Sequence, residues 1–322
     1  MQPMTRRVFF GAASLAAALA LAACSPSTQA ASPSSGEASA AWSFTDSGYG
    51  KTISMDATPQ TLVTDSYSAA ALWDYGIRPS GVFGYGLDES GSLALGSADP
   101  AEMTIIGQDG EFSLEKLLGL DPDLIVGFGN AEGTGWTWWD DKVQAEATAT
   151  APFLGIKFGN RPVLEVIEDY ESLAKSLGGD IASQSAAKAD YQAKLEQLRA
   201  LAKDQPLRII ALNGYDDLYV GQKSLGQLAL LDELGFDIVG QTEDSGWASM
   251  SWEKVADYPA DVVLSYSGTA QQVKDHPVFA SLPAVEASQV VEWDDKRPFT
   301  YSSYAQWFDE LIAVLNTAKS LN

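Results

Sequence analysis

The chain has 322 residues, of which 46% are hydrophobic and 20% charged, a composition typical of globular rather than disordered proteins. The formal net charge is −23 at pH 7. Such an acidic protein is a poor binder of nucleic acid, because that binding depends on neutralising phosphates.

The N-terminus has the pattern of an export signal. Arg6-Arg7 forms a basic start of the twin-arginine type, and an apolar run follows it. This run is shorter than the roughly 20 apolar residues that span a bilayer. Leu21-Ala22-Ala23-Cys24 resembles a lipobox, so we predict that residues 1–23 are removed and that Cys24 carries a lipid anchor. The alternative is a plain secretory signal, exported by either route, with an incidental cysteine.

Cys24 is the only cysteine, which excludes an internal disulfide. Residues 24–41 are mostly Ser, Ala, Pro and Gly, and we predict a flexible tether there. The anchor and tether place the protein at the extracytoplasmic face of the cell membrane. Lipid alone would hold it there, since the acidic body is repelled by anionic headgroups.

Strands and helices alternate along residues 42–180, the predicted N-terminal lobe. A hairpin opens this lobe, and Gly76 is the expected stop of its first helix. Strands are predicted at 42–45, 51–55, 61–64, 82–84, 124–126 and 153–156, and helices at 68–75 and 162–177.

Residues 181–204 have the clearest helical pattern in the chain. Apolar residues from Ala187 to Ala202 recur at intervals of three or four, while charged residues fill the other face. We predict one long helix that links the N-terminal lobe to a C-terminal lobe over residues 205–322.

The C-terminal lobe repeats the plan of the N-terminal lobe. Strands are predicted at 207–212, 262–264 and 290–293, and helices at 226–234 and 304–318. The alternation predicts an α/β fold of two similar lobes with central, mainly parallel sheets. A ligand cleft is expected between the lobes, at the carboxyl ends of the strands.

One short stretch occurs in both lobes. Ser113-Leu114-Glu115-Lys116 matches Ser251-Trp252-Glu253-Lys254, and at the same offset Asp123 matches Asp261. Each copy predicts a short helix with an N-cap serine and a glutamate in its first turn. A strand buried on both faces is expected to follow. Two copies in register indicate two lobes of one design.

Residue types that several chemistries need are scarce. The single histidine, His276, is too few for a zinc or manganese site, and it has no Ser-His-Asp or phosphate-loop pattern around it. We therefore expect neither a metal nor a cofactor. Acidic pairs such as Asp140-Asp141 leave open a glycan-active envelope enzyme, since glycosidases use two carboxylates.

Aromatic side chains follow the ends of the predicted strands. Because those ends meet at the cleft, the rings are candidates to cover a large, partly apolar ligand. The candidate ligand-binding residues are Tyr85, Trp136, Trp138, Trp139, Tyr215, Trp247 and Tyr301, together with the basic residues Arg161 and Arg297. Alternatively, the rings cover the edges of the lobes and the arginines pair with local acids.

Short motifs spread over residues 52–321 share their order and spacing with a known family. They are Thr58-Pro59-Gln60-Thr61-Leu62-Val63, Tyr75-Gly76-Ile77-Arg78-Pro79, Leu114 to Val126, Leu231 to Phe236, Asp261 to Leu264 and Leu282-Pro283-Ala284-Val285. In these motifs the chain resembles the substrate-binding lipoproteins of ABC importers for ferric siderophores, haem and cobalamin. The resemblance implies two α/β lobes joined by one long helix, with little lobe closure on binding.

The resemblance also implies roles for single residues. One surface glutamate per lobe docks with permease arginines in this family, and Glu115 and Glu253 occupy those positions. Trp247, Arg297 and Tyr301 occupy places comparable to those that line siderophore clefts. The first-lobe arginines common in such clefts have no match here, so a neutral or cationic hydroxamate is favoured over an anionic catecholate.

We therefore expect a monomeric, lipid-anchored solute-binding protein that delivers an iron chelate to an ABC importer and is not an enzyme. Haem and cobalamin are the alternative ligands within the family. Outside it, the alternatives are the envelope enzyme and a non-transport receptor, in which Glu115 and Glu253 serve only as helix-start residues.

Overall fold

A computed structural model describes residues 41–87, 93–108, 110–214, 217–240 and 245–321. These ranges all belong to one unit, Ser39–Asn322. The predicted export signal, Cys24, the rest of the tether before Ala41, and Tyr215 lie outside the described residues. Within the described ranges, no helix is long and apolar enough to cross a membrane.

An antiparallel hairpin of β1 (Trp42–Thr45) and β2 (Thr52–Met55) opens the described chain, as predicted. The indole of Trp42 is buried, and its Nε1 donates to the carbonyl oxygen of Ser176 at 3.2 Å. The hairpin is therefore fastened to the end of the first lobe.

The first lobe is built on a five-stranded parallel sheet. Its strands are β3 (Leu62–Asp65), β4 (Gly81–Gly84), β5 (Thr104–Gln108), β6 (Leu124–Phe128) and β7 (Phe153–Ile156). They lie in the order β5-β4-β3-β6-β7. Every residue of β3, β4, β6 and β7 is buried, as expected of parallel strands that are covered on both faces.

Helices cover the sheet of the first lobe. They are α1 (Ser66–Trp73), α2 (Leu114–Leu120), α3 (Asp141–Thr150) and α4 (Val163–Ser176), with a short 3-10 helix at Pro100–Glu102. Helix α4 buries Val166, Tyr170 and Leu173 at helical spacing. It begins at Val163, one residue later than predicted, and Pro162 is its N-cap. Helix α3 has no predicted counterpart, because Ala147 is its only buried residue and its sequence shows no apolar stripe.

The linking segment and the second lobe contain six further helices. They are α5 (Ser185–Asp204), α6 (Gly226–Leu234), α7 (Ala270–Lys274), α8 (Pro277–Ala280), α9 (Pro283–Glu286) and α10 (Tyr301–Leu315). A 3-10 turn at Ile181–Gln184 precedes α5, so the predicted linking helix starts with a tighter turn. Helix α5 buries Tyr191, Leu198 and Ala202, and it packs along α10.

The sheet of the second lobe has six strands. They are β8 (Arg208–Gly214), β9 (Leu218–Gly221), β10 (Asp237–Ile238), β11 (Trp247–Met250), β12 (Val262–Tyr266) and β13 (Val290–Trp293). The order is β11-β9-β8-β12-β13, and β10 pairs with β8. Strands β8, β10, β12 and β13 are parallel, whereas β9 is antiparallel to both of its neighbours.

Strands β5, β9, β10 and β11 have no counterpart among the predicted elements. They pair with neighbouring strands: β5 with β4, β9 with β8 and β11, and β10 with β8. Trp247 opens β11, which directly precedes the 3-10 helix Trp252–Asp257.

The two copies of the repeat differ in detail. In the first, the Ser113 hydroxyl accepts a hydrogen bond from the Lys116 amide at 3.3 Å, which confirms the predicted cap of α2. In the second, Trp252–Asp257 is a 3-10 helix without a side-chain cap, so the predicted capping role of Ser251 is wrong. The Glu253 amide and the Ser251 hydroxyl instead hydrogen-bond to the Glu253 carboxylate, which lowers the pKa of that side chain.

Candidate ligand-binding site

A pocket lies between the two lobes, at the carboxyl ends of their strands. The first lobe contributes Tyr67 after β3, Phe128 at the end of β6 and Phe158 after β7. The second lobe contributes the start of α6 and the loop after β13, which includes Asp295 and Phe299. The pocket encloses about 480 Å³ of space that is partly open to solvent.

The lobes approach each other closely around this pocket. Phe128 of the first lobe and Phe299 of the second have ring centroids 5.8 Å apart in an edge-to-face arrangement. A side chain on Gly226 would lie 3.3 Å from Val163, so the glycine permits α6 to pack against the first lobe. The pocket is therefore built by both lobes together.

A second, larger pocket of 770 Å³ lies within the second lobe. Its walls include Val255, Val263 and Leu282, and no first-lobe residue reaches it. We regard the interlobe pocket as the candidate site, because the carboxyl ends of both parallel sheets meet there.

Trp138 presents the most exposed aromatic face at the interlobe pocket, with 42% of the residue accessible. Its ring centroid lies 5.4 Å from that of Tyr85 and 6.0 Å from that of Phe158. Tyr67 lies 6.3 Å away and stacks on Phe128 at 4.7 Å. These rings form a continuous aromatic wall on the first lobe, suited to a large and partly apolar ligand.

Trp136 and Trp139 pack behind this wall. Trp136 is 2% exposed, and its ring lies 4.9 Å from that of Trp138. Trp139 stacks on Phe83 at 5.2 Å. The Gly- and Trp-rich loop predicted to touch the ligand thus presents Trp138 to the pocket and uses the other two indoles as support.

Asp65, the last residue of β3, holds the Gly- and Trp-rich loop in place through hydrogen bonds. The carboxylate is fully buried, and its Oδ1 accepts from the Ser68 amide at 2.8 Å. The Oδ2 atom accepts from the Phe128 amide at 2.7 Å and from Trp136 Nε1 at 3.0 Å. Burial raises the pKa of Asp65, while these hydrogen bonds oppose the rise. One side chain therefore joins the start of α1, the end of β6 and the tryptophan loop.

The second-lobe side of the pocket is polar. Asp295, two residues beyond β13, accepts a hydrogen bond from Trp247 Nε1 at 2.9 Å. The Trp247 ring is held by Trp293 at 5.5 Å and by Tyr266 at 5.8 Å. Burial raises the pKa of Asp295, and the hydrogen bond from Trp247 counters part of that rise. Trp247 thus orients a carboxylate that lines the pocket.

Gln227, in the first turn of α6, is a second polar group at this wall. The residue is only 3% exposed, and its Nε2 has no hydrogen-bond partner among the described residues. A buried amide without a partner is uncommon in folded proteins. Gln227 lines the pocket, and its unpartnered Nε2 atom is buried beside it.

Arg161 lies outside the lining of the pocket. Its guanidinium donates to Asp169 at 2.5 Å, to Glu165 at 3.2 Å and to the Ser47 hydroxyl at 2.8 Å. Of the two interpretations of this arginine, the pairing with local acids is the one observed. It ties the hairpin loop to α4.

Arg297 and Tyr301 also lie away from the pocket. Arg297 is buried and donates to the carbonyl oxygen of Ser303 at 2.9 Å. Tyr301, the first residue of α10, donates its hydroxyl hydrogen to Glu171 of α4 at 2.7 Å. The ammonium group of Lys188 in α5 lies 2.9 Å from the same carboxylate. These contacts join α4, α5 and α10 where the lobes meet.

Trp138 is the one described residue of the pocket wall that the predicted site includes. The wall residues absent from the prediction are Tyr67, Phe128, Phe158, Gly159, Ser224, Leu225, Gly226, Gln227, Asp295 and Phe299. Tyr67, Phe128, Phe158 and Asp295 lie within two residues of the carboxyl end of a strand, so the same positional rule applied to every strand finds them. Gln227 and Phe299 carry no such signal.

The alternative of an envelope enzyme gains no support from its carboxylates. Asp140 is the N-cap of α3, and its Oδ1 accepts from the Val143 amide at 2.8 Å. Its position is therefore explained by helix capping. Among the described residues, no group of three His, Cys, Asp or Glu side chains is placed to hold a metal ion.

Two α/β lobes that share an aromatic pocket define a ligand-binding protein of the two-lobed kind. The chain belongs to the periplasmic binding protein family, whose model matches residues 88–297. This confirms the family resemblance drawn from the sequence motifs. A search of curated proteins finds no match.

Solved structures of the same fold include several siderophore-binding proteins. The ferric-siderophore receptor protein DesE from Streptomyces coelicolor is 28% identical, with a TM-score of 0.78 over 87% of this chain and 100% of that one. FhuD2 from Staphylococcus aureus with bound ferrioxamine B is 18% identical, with a TM-score of 0.57 over 80% and 98% of the two chains. The triscatecholate siderophore binding protein FeuA from Bacillus subtilis, complexed with ferri-bacillibactin, is 15% identical, with a TM-score of 0.61 over 83% and 96%.

Proposed function

We propose that this protein binds a ferric siderophore between its lobes and delivers it to an ABC importer. The observation that carries the proposal is the interlobe pocket with its aromatic wall of Tyr67, Phe128, Trp138 and Phe158. Flat, rigid rings cover a bulky chelate at low entropic cost. The similarity to DesE, which extends over the whole of that ferric-siderophore receptor, supports the same ligand class.

Within that class, we infer a neutral or cationic ferric hydroxamate rather than a catecholate. A ferric tris-catecholate carries several negative charges, which need cationic partners once water is excluded. Among the described residues that line the pocket, the single charged side chain is the carboxylate of Asp295. The nearby Arg161 is already paired with Asp169. The charge of the pocket therefore disfavours an anionic complex.

The decisive experiment is a titration of the purified protein, read by quenching of tryptophan fluorescence. Ferrioxamine B, ferri-bacillibactin, haem and cobalamin are added in separate series. We expect saturable quenching with ferrioxamine B and none, or at least a hundredfold weaker binding, with ferri-bacillibactin. Tight binding of the catecholate alone would refute the charge argument, and binding of haem or cobalamin alone would replace the ligand class.

Glu115 and Glu253 are the proposed docking residues for the permease. Both side chains are exposed, and neither makes an ion pair among the described residues. Glu115 follows the carboxyl end of β5, and Glu253 follows that of β11, which runs parallel to β8. Leu118, one turn beyond Glu115, is 56% exposed and adds an apolar contact to the same face. Each glutamate thus follows, along the chain, an outer strand of the sheet of its lobe.

Docking is tested by the double variant Glu115→Arg/Glu253→Arg, assayed in cells for uptake and in solution for affinity. We expect uptake to fall at least tenfold while the affinity for the chelate stays within twofold. The matched control is Glu102→Arg/Glu286→Arg, which makes the same change of charge at two other exposed glutamates. Normal uptake in the Glu115/Glu253 variant would assign these residues to helix starts only and favour a non-transport receptor.

The lipid anchor at Cys24 completes the proposal, with the mature protein as a monomer on the extracytoplasmic face. Its support is the lipobox pattern, since Cys24 lies outside the described residues. Replacement of Cys24 by Ser is expected to move the protein from the membrane fraction to the soluble fraction. An unchanged distribution after fractionation would refute the anchor without touching the ligand assignment.

A further inference from the structure

Two polar side chains, Asp295 and Gln227, line the second-lobe side of the interlobe pocket. Asp295 places a carboxylate at the pocket wall, and Trp247 occupies only its Oδ2 atom. Gln227 places an amide there whose Nε2 has no partner among the described residues. One group accepts and the other donates.

The carboxylate of Asp295 forms no ion pair among the described residues, although the charge of its neighbour Lys296 acts on it. None of the ion pairs among the described residues includes Asp295. Its sequence neighbours Asp294 and Lys296 act on it with opposite signs. A partly buried carboxylate in such a place gains most from a charge supplied by the ligand.

The aromatic wall, like Asp295, favours a positive charge on the ligand. The faces of indole and phenol rings attract cations, and the attraction strengthens where water is excluded. Trp138 and Tyr67 line the same pocket as Asp295. A cationic group between a ring face and a carboxylate is therefore stabilised from both sides.

We propose that Asp295 and Gln227 form a polar subsite for one end of the chelate, in which Asp295 pairs with a primary ammonium group and the Gln227 amide donates to a ligand oxygen. This inference rests on the proposed function, because it divides the same pocket into an apolar and a polar half. It assigns the ligand class more narrowly, to ferric hydroxamates that carry a free amine.

The test compares two chelates that differ in one charge: ferrioxamine B, with its terminal ammonium, and its N-acetylated form, which is neutral there. We expect the wild-type protein to bind ferrioxamine B at least tenfold more tightly. In Asp295→Asn this ratio is expected to fall to about one, while Trp247 keeps an acceptor for its N–H. Glu292→Gln, which removes an exposed carboxylate near the end of β13, is the matched control and should keep the ratio.

The role of Gln227 is tested with Gln227→Met, which has a similar volume and no amide. Affinity for both chelates is expected to drop about tenfold, with the ratio between them unchanged and the melting temperature not lowered. An undiminished affinity would overturn the role of this residue.

The outcomes distinguish failure of the polar subsite from failure of the proposed function. If the wild-type protein binds both chelates equally, or if Asp295→Asn keeps the ratio, the subsite is overturned while the proposed function stands. If the wild-type protein binds neither chelate, the hydroxamate function fails and the subsite fails with it. The comparison of the two chelates on the wild type needs no variant, so a misfolded variant does not remove the test.

Discussion

Asp123 in the first lobe has the same hydrogen-bonding position as Asp261 in the second. Asp123 Oδ2 accepts from the Thr61 amide at 2.8 Å, and Asp261 Oδ2 accepts from the Arg208 amide at 2.9 Å. In return, the amide of each aspartate donates to the carbonyl oxygen of the same partner residue, at 2.9 and 2.8 Å. Each pair joins the start of one buried parallel strand to the start of its neighbour, β6 to β3 in the first lobe and β12 to β8 in the second.

The two aspartates differ in their further partners, which predicts unequal costs of replacement. Asp261 is 2% exposed and also binds the Arg208 guanidinium at 2.9 Å and the Leu321 amide at 2.8 Å. We expect Asp261→Asn to lower the free energy of unfolding by about 3 kcal/mol, since a buried charge pair is broken. Asp123→Asn, which breaks no charge pair, should cost about 1 kcal/mol. Urea unfolding at pH 7 measures both values, and equal costs would contradict the assignment.

Asp261 also makes stability depend on pH. Burial raises the pKa of Asp261, but the hydrogen bonds from Arg208 and from the Leu321 amide outweigh it and hold the pKa below the usual value of 3.8. Because the folded-state pKa is lowered, the stabilisation is present above about pH 4 and is lost as the pH falls through the folded-state value. The difference in unfolding free energy between the wild type and Asp261→Asn should therefore shrink in acid. A constant difference between pH 7 and pH 3 would contradict this prediction.

Replacement of Asp65 is predicted to damage both stability and the pocket. An asparagine there has one acceptor oxygen in place of two, so one of three buried N–H donors loses its partner. We expect a loss of about 2–3 kcal/mol in unfolding free energy, together with weaker chelate binding. Trp136→Phe removes only one of the donors and should cost about 1 kcal/mol. Wild-type stability of Asp65→Asn in urea unfolding would show that the carboxylate does not fix the tryptophan loop.

Trp138 is predicted to contribute to affinity and little to stability. Its exposed face lines the pocket, so Trp138→Ala should weaken the binding of ferrioxamine B at least tenfold. The matched control is Tyr219→Ala, because Tyr219 is 40% exposed on β9 and does not line the pocket. Fluorescence titration with ferrioxamine B measures the affinity of both variants. If both variants lose a comparable amount of affinity for ferrioxamine B, the loss in Trp138→Ala does not come from a ligand contact of Trp138.

Tyr301 is predicted to act between the lobes and not on the ligand. Tyr301→Phe removes the hydrogen bond to Glu171 and should lower the unfolding free energy by about 1 kcal/mol, while affinity stays within twofold. Tyr191→Phe is the control, since the rings lie 5.6 Å apart and the Tyr191 hydroxyl has no hydrogen-bond partner among the described residues. Its stability should not fall. A tenfold loss of affinity in Tyr301→Phe would show that Tyr301 contributes to ligand binding after all.

The architecture was predictable because the strands of both sheets are short apolar runs between turn signals. Leu124-Ile125-Val126 and Val262-Val263-Leu264 are unbroken by polar residues, as buried parallel strands require. Strands β9 and β11 were not predictable, because they exist through pairing with each other and with β8 rather than through their own pattern.

The pocket was predictable only in part, for a similar reason. Trp138 stands out because tryptophan is rare and the loop around it is rich in glycine. Asp295 is one of 43 acidic residues, and only its position two residues after a predicted strand marks it before Trp247 is brought to it from β11. Arg161 has acids four and eight residues ahead, and only packing shows that they neutralise it.

In each lobe, a hydrogen bond joins an earlier residue to a segment near the end of that lobe's sequence. The Trp42 indole donates a hydrogen bond to the carbonyl oxygen of Ser176, and the Asp261 carboxylate accepts one from the Leu321 amide. During synthesis the contact of Trp42 can form as soon as the end of α4 has emerged, whereas the contact of Asp261 needs the chain as far as Leu321. Such non-local contacts form slowly relative to single helices. We therefore expect the first-lobe contact to form before the second-lobe contact.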